Sequence, residues 1–219
     1  MKLGLVGGVS PFAFAEIYCD VCKNYRNLYG EYPQIVVYSV KCSKEDEDDF
    51  LCNKEQKSEN IINELKSACE FFSKNGVENV GICCNTLSNI FESVAEKYCF
   101  KRILTPVNAV LNNVKNPYDC FVFATRFTCE SKLYGENVKY LSNENQLIVD
   151  KILSDKIDGK EDVNVNKNLQ DIAKENNISN IILGCTDFCV NDFMGCNVNI
   201  LDSSKLFADE CIKVLKESK

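Results

Sequence analysis

Glu78-Asn79-Val80-Gly81-Ile82-Cys83-Cys84-Asn85-Thr86 and Ser179-Asn180-Ile181-Ile182-Leu183-Gly184-Cys185-Thr186-Asp187 follow one plan in the two halves of the chain: a helix exit, an apolar strand, then cysteine among small polar residues. A second matched pair precedes them. Leu5-Val6-Gly7-Gly8-Val9-Ser10, closing at Tyr18, parallels Phe121-Val122-Phe123-Ala124-Thr125-Arg126, closing at Tyr134. Self-similarity of this kind marks a duplicated architecture. Working outward from these segments, apolar runs predict strands at Lys2–Val6, Gln34–Val40, Asn79–Cys83, Lys101–Leu104, Asp119–Ala124, Val138–Leu141, Asn180–Leu183 and Asn199–Leu201. Amphipathic stretches predict helices at Pro11–Arg26, Ser58–Asn75, Ser88–Tyr98, Pro106–Val114, Cys129–Gly135, Glu144–Leu153, Asn166–Asn176 and Ser203–Ser218. Strand and helix alternate as in a βαβ chain with a mainly parallel sheet. The expected fold is α/β, with two similar domains, residues 1–104 and 105–204, each a mainly parallel sheet flanked by helices.

Composition narrows the chemistry. The chain has 219 residues, 45% of them hydrophobic, enough to build real cores in both halves. Its opening apolar run breaks at Gly7-Gly8, so no signal peptide is expected, and no stretch approaches the roughly 18 apolar residues of a membrane helix. Fourteen cysteines without an export signal predict a reducing, cytoplasmic setting, with most thiols packed as small hydrophobes. A net charge of −7 argues against nucleic acid and anionic membranes as partners and leaves a small molecule as the expected one. The absence of histidine is the sharpest limit. It removes Ser-His-Asp and Cys-His hydrolases, His-based metal sites and histidine proton shuttles, and no metal site is expected.

Acid/base chemistry must then come from Cys, Asp, Glu, Lys or Tyr. In open α/β sheets ligands bind beyond the carboxyl ends of the strands, where Cys84 and Cys185 both fall. If helices follow directly, their N-termini favour the thiolate and draw both pKa values toward neutrality. A cysteine chosen at random in this chain is a packed one. These two stand apart because they match in register, end their strands and precede polar residues. Two thiols facing one another across an α-carbon suit racemisation, in which one base removes the proton and an acid on the opposite face supplies another. Asn85, Thr86 and Thr186, with nearby backbone N–H groups, are suited to hold the substrate carboxylate as it takes up carbanion charge.

The sequence resembles the aspartate/glutamate racemase superfamily, and within it the aspartate racemase branch, on four segments: Gly4 to Pro11, Cys84-Asn85-Thr86, Ala124 to Thr128 leading to Tyr134, and Leu183 to Asp187. The resemblance implies a racemase of amino acids that needs no pyridoxal phosphate or other cofactor, with aspartate as first substrate and glutamate as second. It implies an active site in the cleft between the domains, the last helix (205–219) folding back on the first domain, and a homodimer. By position Cys84 and Cys185 are then the catalytic pair. Asn85, Thr86 and Thr186 become substrate ligands, Ser10 and Thr125 lie on neighbouring loops, and Lys156 or Lys160 contributes a cation from the second half. Departures from the family pattern accompany it. Ser88 stands where the branch often has histidine, and Asp187, expected to tune the thiol pKa, stands where it usually has glutamate. The loop after Val40 carries no arginine for a side-chain carboxylate, leaving Lys41, Lys44 or Arg126 as replacements.

Other signals carry less. Cys19 and Cys22 have redox or zinc spacing but lie inside a helix, without partners to complete a site. Cys83 should face away from Cys84 by strand alternation. Cys189, four residues beyond Cys185, falls one helical turn on. Gly7-Gly8 lacks the lysine or acidic partner of a nucleotide loop. The acidic run Lys44 to Asp49 has no apolar periodicity and reads as a solvated loop. Two readings besides racemisation stay open: a dicarboxylate isomerase or decarboxylase of the same superfamily, and a catalytically silent binding protein on the same fold.

Overall fold

In a computed structural model, residues 2–51, 59–160 and 165–217 are described. The expected ends at Ser58 and Ser218 lie outside them. The first half runs β1 (Leu3–Gly7), α1 (Pro11–Tyr29), β2 (Ile35–Ser39), α2 (Lys44–Leu51), α3 (Glu59–Lys74), β3 (Asn79–Ile82), α4 (Ser88–Ala95) and β4 (Arg102–Leu104). After α5 (Pro106–Leu111) the second half follows with β5 (Cys120–Phe123), α6 (Arg126–Glu130), β6 (Lys139–Tyr140), α7 (Asn143–Ile157), α8 (Val165–Glu175), β7 (Asn180–Leu183), β8 (Asn199–Asp202) and α9 (Ser203–Lys216).

The strands form two parallel four-stranded sheets, ordered β2-β1-β3-β4 and β6-β5-β7-β8. The two orders are the same plan, so the duplication legible in sequence is a duplication of topology. Each sheet is covered on both faces, which is why its central strands read as unbroken apolar runs. Alternation sends Leu3 and Leu5 to the α1 and α9 side and Val6 to the α3 and α4 side. In the second sheet Phe123 packs with α7 and α8 residues, and Val122 with Val107 and Val110 of α5.

Helix α9 lies against α1 and α5, and Phe207 packs its ring over Gly81, where a Cβ would meet the ring at 3.0 Å. We propose the division at Thr105 as the domain boundary, with α5 as a shared layer: its Ala109 packs with Leu3 and Phe207, its Val107 and Val110 with Cys120 and Val122. Among the described residues no helix is long and apolar enough to cross a membrane.

Three expectations are corrected. The acidic run is helix α2, not a loop, because Ser43 and Asp46 form a capping box: Ser43 Oγ donates to Asp46 Oδ2 at 2.6 Å, and Asp46 N donates to Ser43 Oγ at 3.1 Å. Acidic residues in its first turn also match the helix dipole. The helix expected at Cys129–Gly135 starts earlier, at Arg126, because the Thr125 hydroxyl caps it by accepting from Thr128 N. No α-helix follows Cys185; the chain turns, extends at Cys189 and makes a 3-10 helix at Val190–Phe193, so Cys189 is not one helical turn from Cys185.

Phe207 is fully buried in the layer that joins α9 to the first sheet. Phe207→Ala should lower the unfolding free energy by about 3–5 kcal/mol, read by urea denaturation at constant m-value; a loss under about 1 kcal/mol would contradict this packing.

Candidate active site

The loops after β1, β3, β5 and β7 meet at the carboxyl ends of the two sheets. One ladder bond repeats in both halves: Cys83 N donates to Val6 O at 2.9 Å, and Gly184 N to Phe123 O at 2.8 Å. The next residue in each case is Cys84 or Cys185, which fixes the two thiols at the same register of their sheets. Gly184 has no side chain for a structural reason, since a Cβ there would lie 2.8 Å from the Tyr134 ring. Gly8, at φ +105° with Val40 O only 2.4 Å from where a Cβ would sit, makes the turn that delivers Ser10.

A cavity between the halves is lined by Cys84, Asn85, Thr86 and Ser10 from the first and by Thr125, Cys185, Thr186 and Asp187 from the second. Val9, the Cys83 position, Ile157 and Glu47 complete the lining. Its volume of about 40 Å³ holds a few waters, so an amino acid enters only when the halves or α2 move apart. Cys83 itself packs with Leu5, Phe207 and Cys211 on the far face, as alternation requires.

Hydrogen bonds cross the cavity from one half to the other. Ser10 Oγ donates to Asp187 Oδ1 at 2.6 Å, and Cys185 Sγ is 3.6 Å from Asp187 Oδ2. Thr86 Oγ1 lies 3.0 Å from Thr125 Oγ1 and 3.3 Å from Thr128 Oγ1, and those two lie 2.9 Å apart. Asn85 is fully buried; its Nδ2 donates to Ser203 Oγ at 3.0 Å, and its Oδ1 accepts from the Tyr134 hydroxyl. The Asn85 amide is thus a tie between the halves. Tyr134, Ser203 and Thr128 are the partners that sequence reasoning did not assign, and Tyr134 was visible only as the end of a repeated segment. The repeat fails at that tyrosine: Tyr18 is a partly exposed α1 residue beside Cys22, whereas Tyr134 is buried.

The expectation of lowered thiol pKa values is overturned. Burial pushes the Cys84 thiol up to about 11, with the Asp187 charge adding to the rise. The backbone N–H groups of Leu87 and Thr86, and the Thr86 hydroxyl, oppose that shift without reversing it. Cys185 is pushed well above the usual thiol range by burial first and Asp187 second, while the Asp187 N–H opposes. The charge of Cys84 adds to the rise at Cys185, so the sulfurs lie within electrostatic reach of each other. Asp187 is itself raised by burial, against the pull of Ser10, Cys185 and the Lys156 charge. No α-helix dipole acts at Cys185, and α4 starts four residues beyond Cys84, which is why the expected lowering is lost.

The expected cations sit outside the lining. Lys156 Nζ pairs with Asp192 Oδ1 at 2.8 Å, and its neighbour Ile157 lines the cavity. Arg126 is held by Asp150 Oδ2 and Asn143 Oδ1, each at 2.8 Å. Lys44 and Lys160 reach Asp158 at 2.7 and 2.8 Å, and Lys41 is exposed. Lys44 to Asp158 joins α2 of the first half to the end of α7 in the second.

Paired thiols at matching strand ends of a two-lobed parallel α/β chain define the class of site. Among solved structures the chain is similar to an aspartate racemase homologue from Pyrococcus horikoshii (19% identity, TM-score 0.70, 98% of this chain and 99% of that one). It is also similar to the aspartate racemase of Picrophilus torridus (18%, 0.72, 98% and 94%) and to glutamate racemase from Francisella tularensis (19%, 0.67, 99% and 81%). The chain has the two-lobed fold of the aspartate/glutamate racemases over nearly its whole length. Neither the family models nor the curated proteins give a match.

A thiol with a pKa near 11 is almost wholly protonated at neutral pH, and its thiolate grows as pH rises. Alkylation of Cys84 by iodoacetamide, followed by peptide mass spectrometry, should therefore accelerate about tenfold per unit from about pH 7 to about pH 10. A plateau near pH 8 would contradict the raised value.

Proposed function

We propose that this protein is an amino-acid racemase that works without a cofactor, with Cys84 and Cys185 as acid and base on opposite faces of the α-carbon. The observation that carries this reading is the pairing of the two thiols: the same ladder bond precedes each, and both line one cavity between the halves. The fold shared with aspartate and glutamate racemases supports it.

In the proposed reaction one sulfur starts as thiolate and the other as thiol. The thiolate takes the α-proton, leaving a carbanion delocalised into the substrate carboxylate, and the thiol returns a proton to the other face. Afterwards the two sulfurs have exchanged protonation states, and the reverse reaction uses the same groups. Mutual repulsion of two thiolates in a buried space favours one negative sulfur at a time. The substrate ammonium supplies a positive charge that offsets the burial of that thiolate. N–H groups of Thr86 and Leu87 on one side and of Asp187 on the other are placed to hold the ionised sulfur. Thr86, Thr125, Thr186 and Ser10 are the proposed substrate ligands. Asn85 is a positioning residue through Tyr134 and Ser203. Asp187 sets the thiol pKa values, and Lys156 acts on it through its charge.

Aspartate, and then glutamate, are the substrates to which the family resemblance points. A cytoplasmic location is supported by the fourteen cysteines. A homodimer is supported by the resemblance and by exposed apolar residues on and after α1, Phe12, Leu28 and Tyr32.

Purified protein in D₂O, given single enantiomers without pyridoxal phosphate, should both exchange the α-proton and invert the substrate, followed by proton NMR and chiral chromatography. Cys84→Ala and Cys185→Ala should each reduce racemisation by about 10³-fold or more while leaving the near-UV circular dichroism unchanged. Full activity in either folded variant would end the two-thiol mechanism.

A further inference from the structure

The cavity contains a second feature that proton transfer does not use. Glu47 lies on α2, whose start is set by the Ser43 and Asp46 capping box, and its side chain, 16% exposed, turns into the lining between the halves. It sits close to the reacting sulfurs: Cys42 is pushed up to about 12, with both Glu47 and Cys84 among the causes after burial. Asp187 lines the same space. Among the described residues, none lining this cavity is lysine or arginine. Lys44 lies 3.7 Å from Glu47 but 2.7 Å from Asp158, so its charge is directed first outside the cavity. Arg126 and Lys156 are likewise committed to Asp150 and Asp192.

A side chain placed beside Glu47 meets a hydrogen-bond acceptor with negative charge. A second substrate carboxylate there would be repelled by Glu47 and by Asp187, and would find no bidentate donor of the kind that recognises carboxylates. An amide, hydroxyl or ammonium would instead donate to Glu47. Resting on the racemase reading above, we infer that Glu47 selects the substrate side chain, and that the site takes an amino acid whose side chain donates hydrogen bonds and carries no negative charge. Glu47 is thus a specificity-determining residue, separate in role from the two cysteines.

The test is a comparison of kcat/KM for both enantiomers of asparagine, serine, 2,4-diaminobutyrate, aspartate and glutamate. One of the first three should exceed the two dicarboxylates by on the order of 100-fold, as expected for discrimination against a like charge. Glu47→Gln should bring that ratio toward unity by raising KM for the preferred substrate, and Glu47→Lys should move it in favour of aspartate. Aspartate or glutamate as the best substrate of the unaltered protein, or a ratio unmoved in both variants, would overturn the assignment of Glu47 and leave the racemase reading standing. Silence of the unaltered protein toward all five amino acids would overturn both.

Discussion

Two sulfurs and a carboxylate share one small space, and burial makes every negative charge there costly. Cys84 and Cys185 are both raised because the protein removes water from around them and places Asp187 beside them. Ionising either sulfur makes the other harder to ionise. That coupling gives the proposed chemistry its logic, since a two-base reaction needs one thiolate and one thiol and gains nothing from two of either. The few opposing N–H groups are local, drawn from the turns after β3 and β7. The charge that offsets the thiolate arrives with the substrate ammonium, so reactivity is tied to occupancy of the cleft.

Closure of that space depends on bonds between the halves. Ser10 reaches Asp187, Thr86 reaches Thr125 and Thr128, and Asn85 reaches Tyr134 and Ser203. Each joins a loop of one sheet to a loop or helix start belonging to the other. Helices α5 and α9 do the same work with apolar side chains behind the cleft, while Lys44 and Asp158 bridge it in front. The apolar layer is the permanent part. A single exposed ion pair contributes little, about 1 kcal/mol or less, so the front of the cleft can open for a substrate while the back holds.

Repetition in the sequence carried most of the fold. Apolar runs around Val80 and Ile181, each ending in cysteine with small polar neighbours, located the central strands and both thiols. What followed each thiol was not legible from the repeat, because the halves diverge there: Ser88 begins an α-helix, whereas Cys185 leads into a turn and a 3-10 helix. The pKa expectation rested on that missing helix and on an exposure the packed cleft does not provide. Helix α2 was overlooked because its signal is a cap rather than a period; Ser43 and Asp46, three apart, were readable as one. The partners of Asn85 were not, since Tyr134 and Ser203 lie far from it in the chain and meet it only when the two sheets are set face to face.

The central claim is that each thiol serves one face of the α-carbon. The direct measurement is α-deuterium incorporation without inversion in Cys84→Ala and in Cys185→Ala, each given the pure L and pure D form of the best substrate in D₂O. The account predicts residual exchange with one enantiomer in the first variant and with the opposite enantiomer in the second, because the remaining sulfur can remove and return a proton on its own side. Exchange of the same enantiomer in both variants, or of both enantiomers in either, would contradict it.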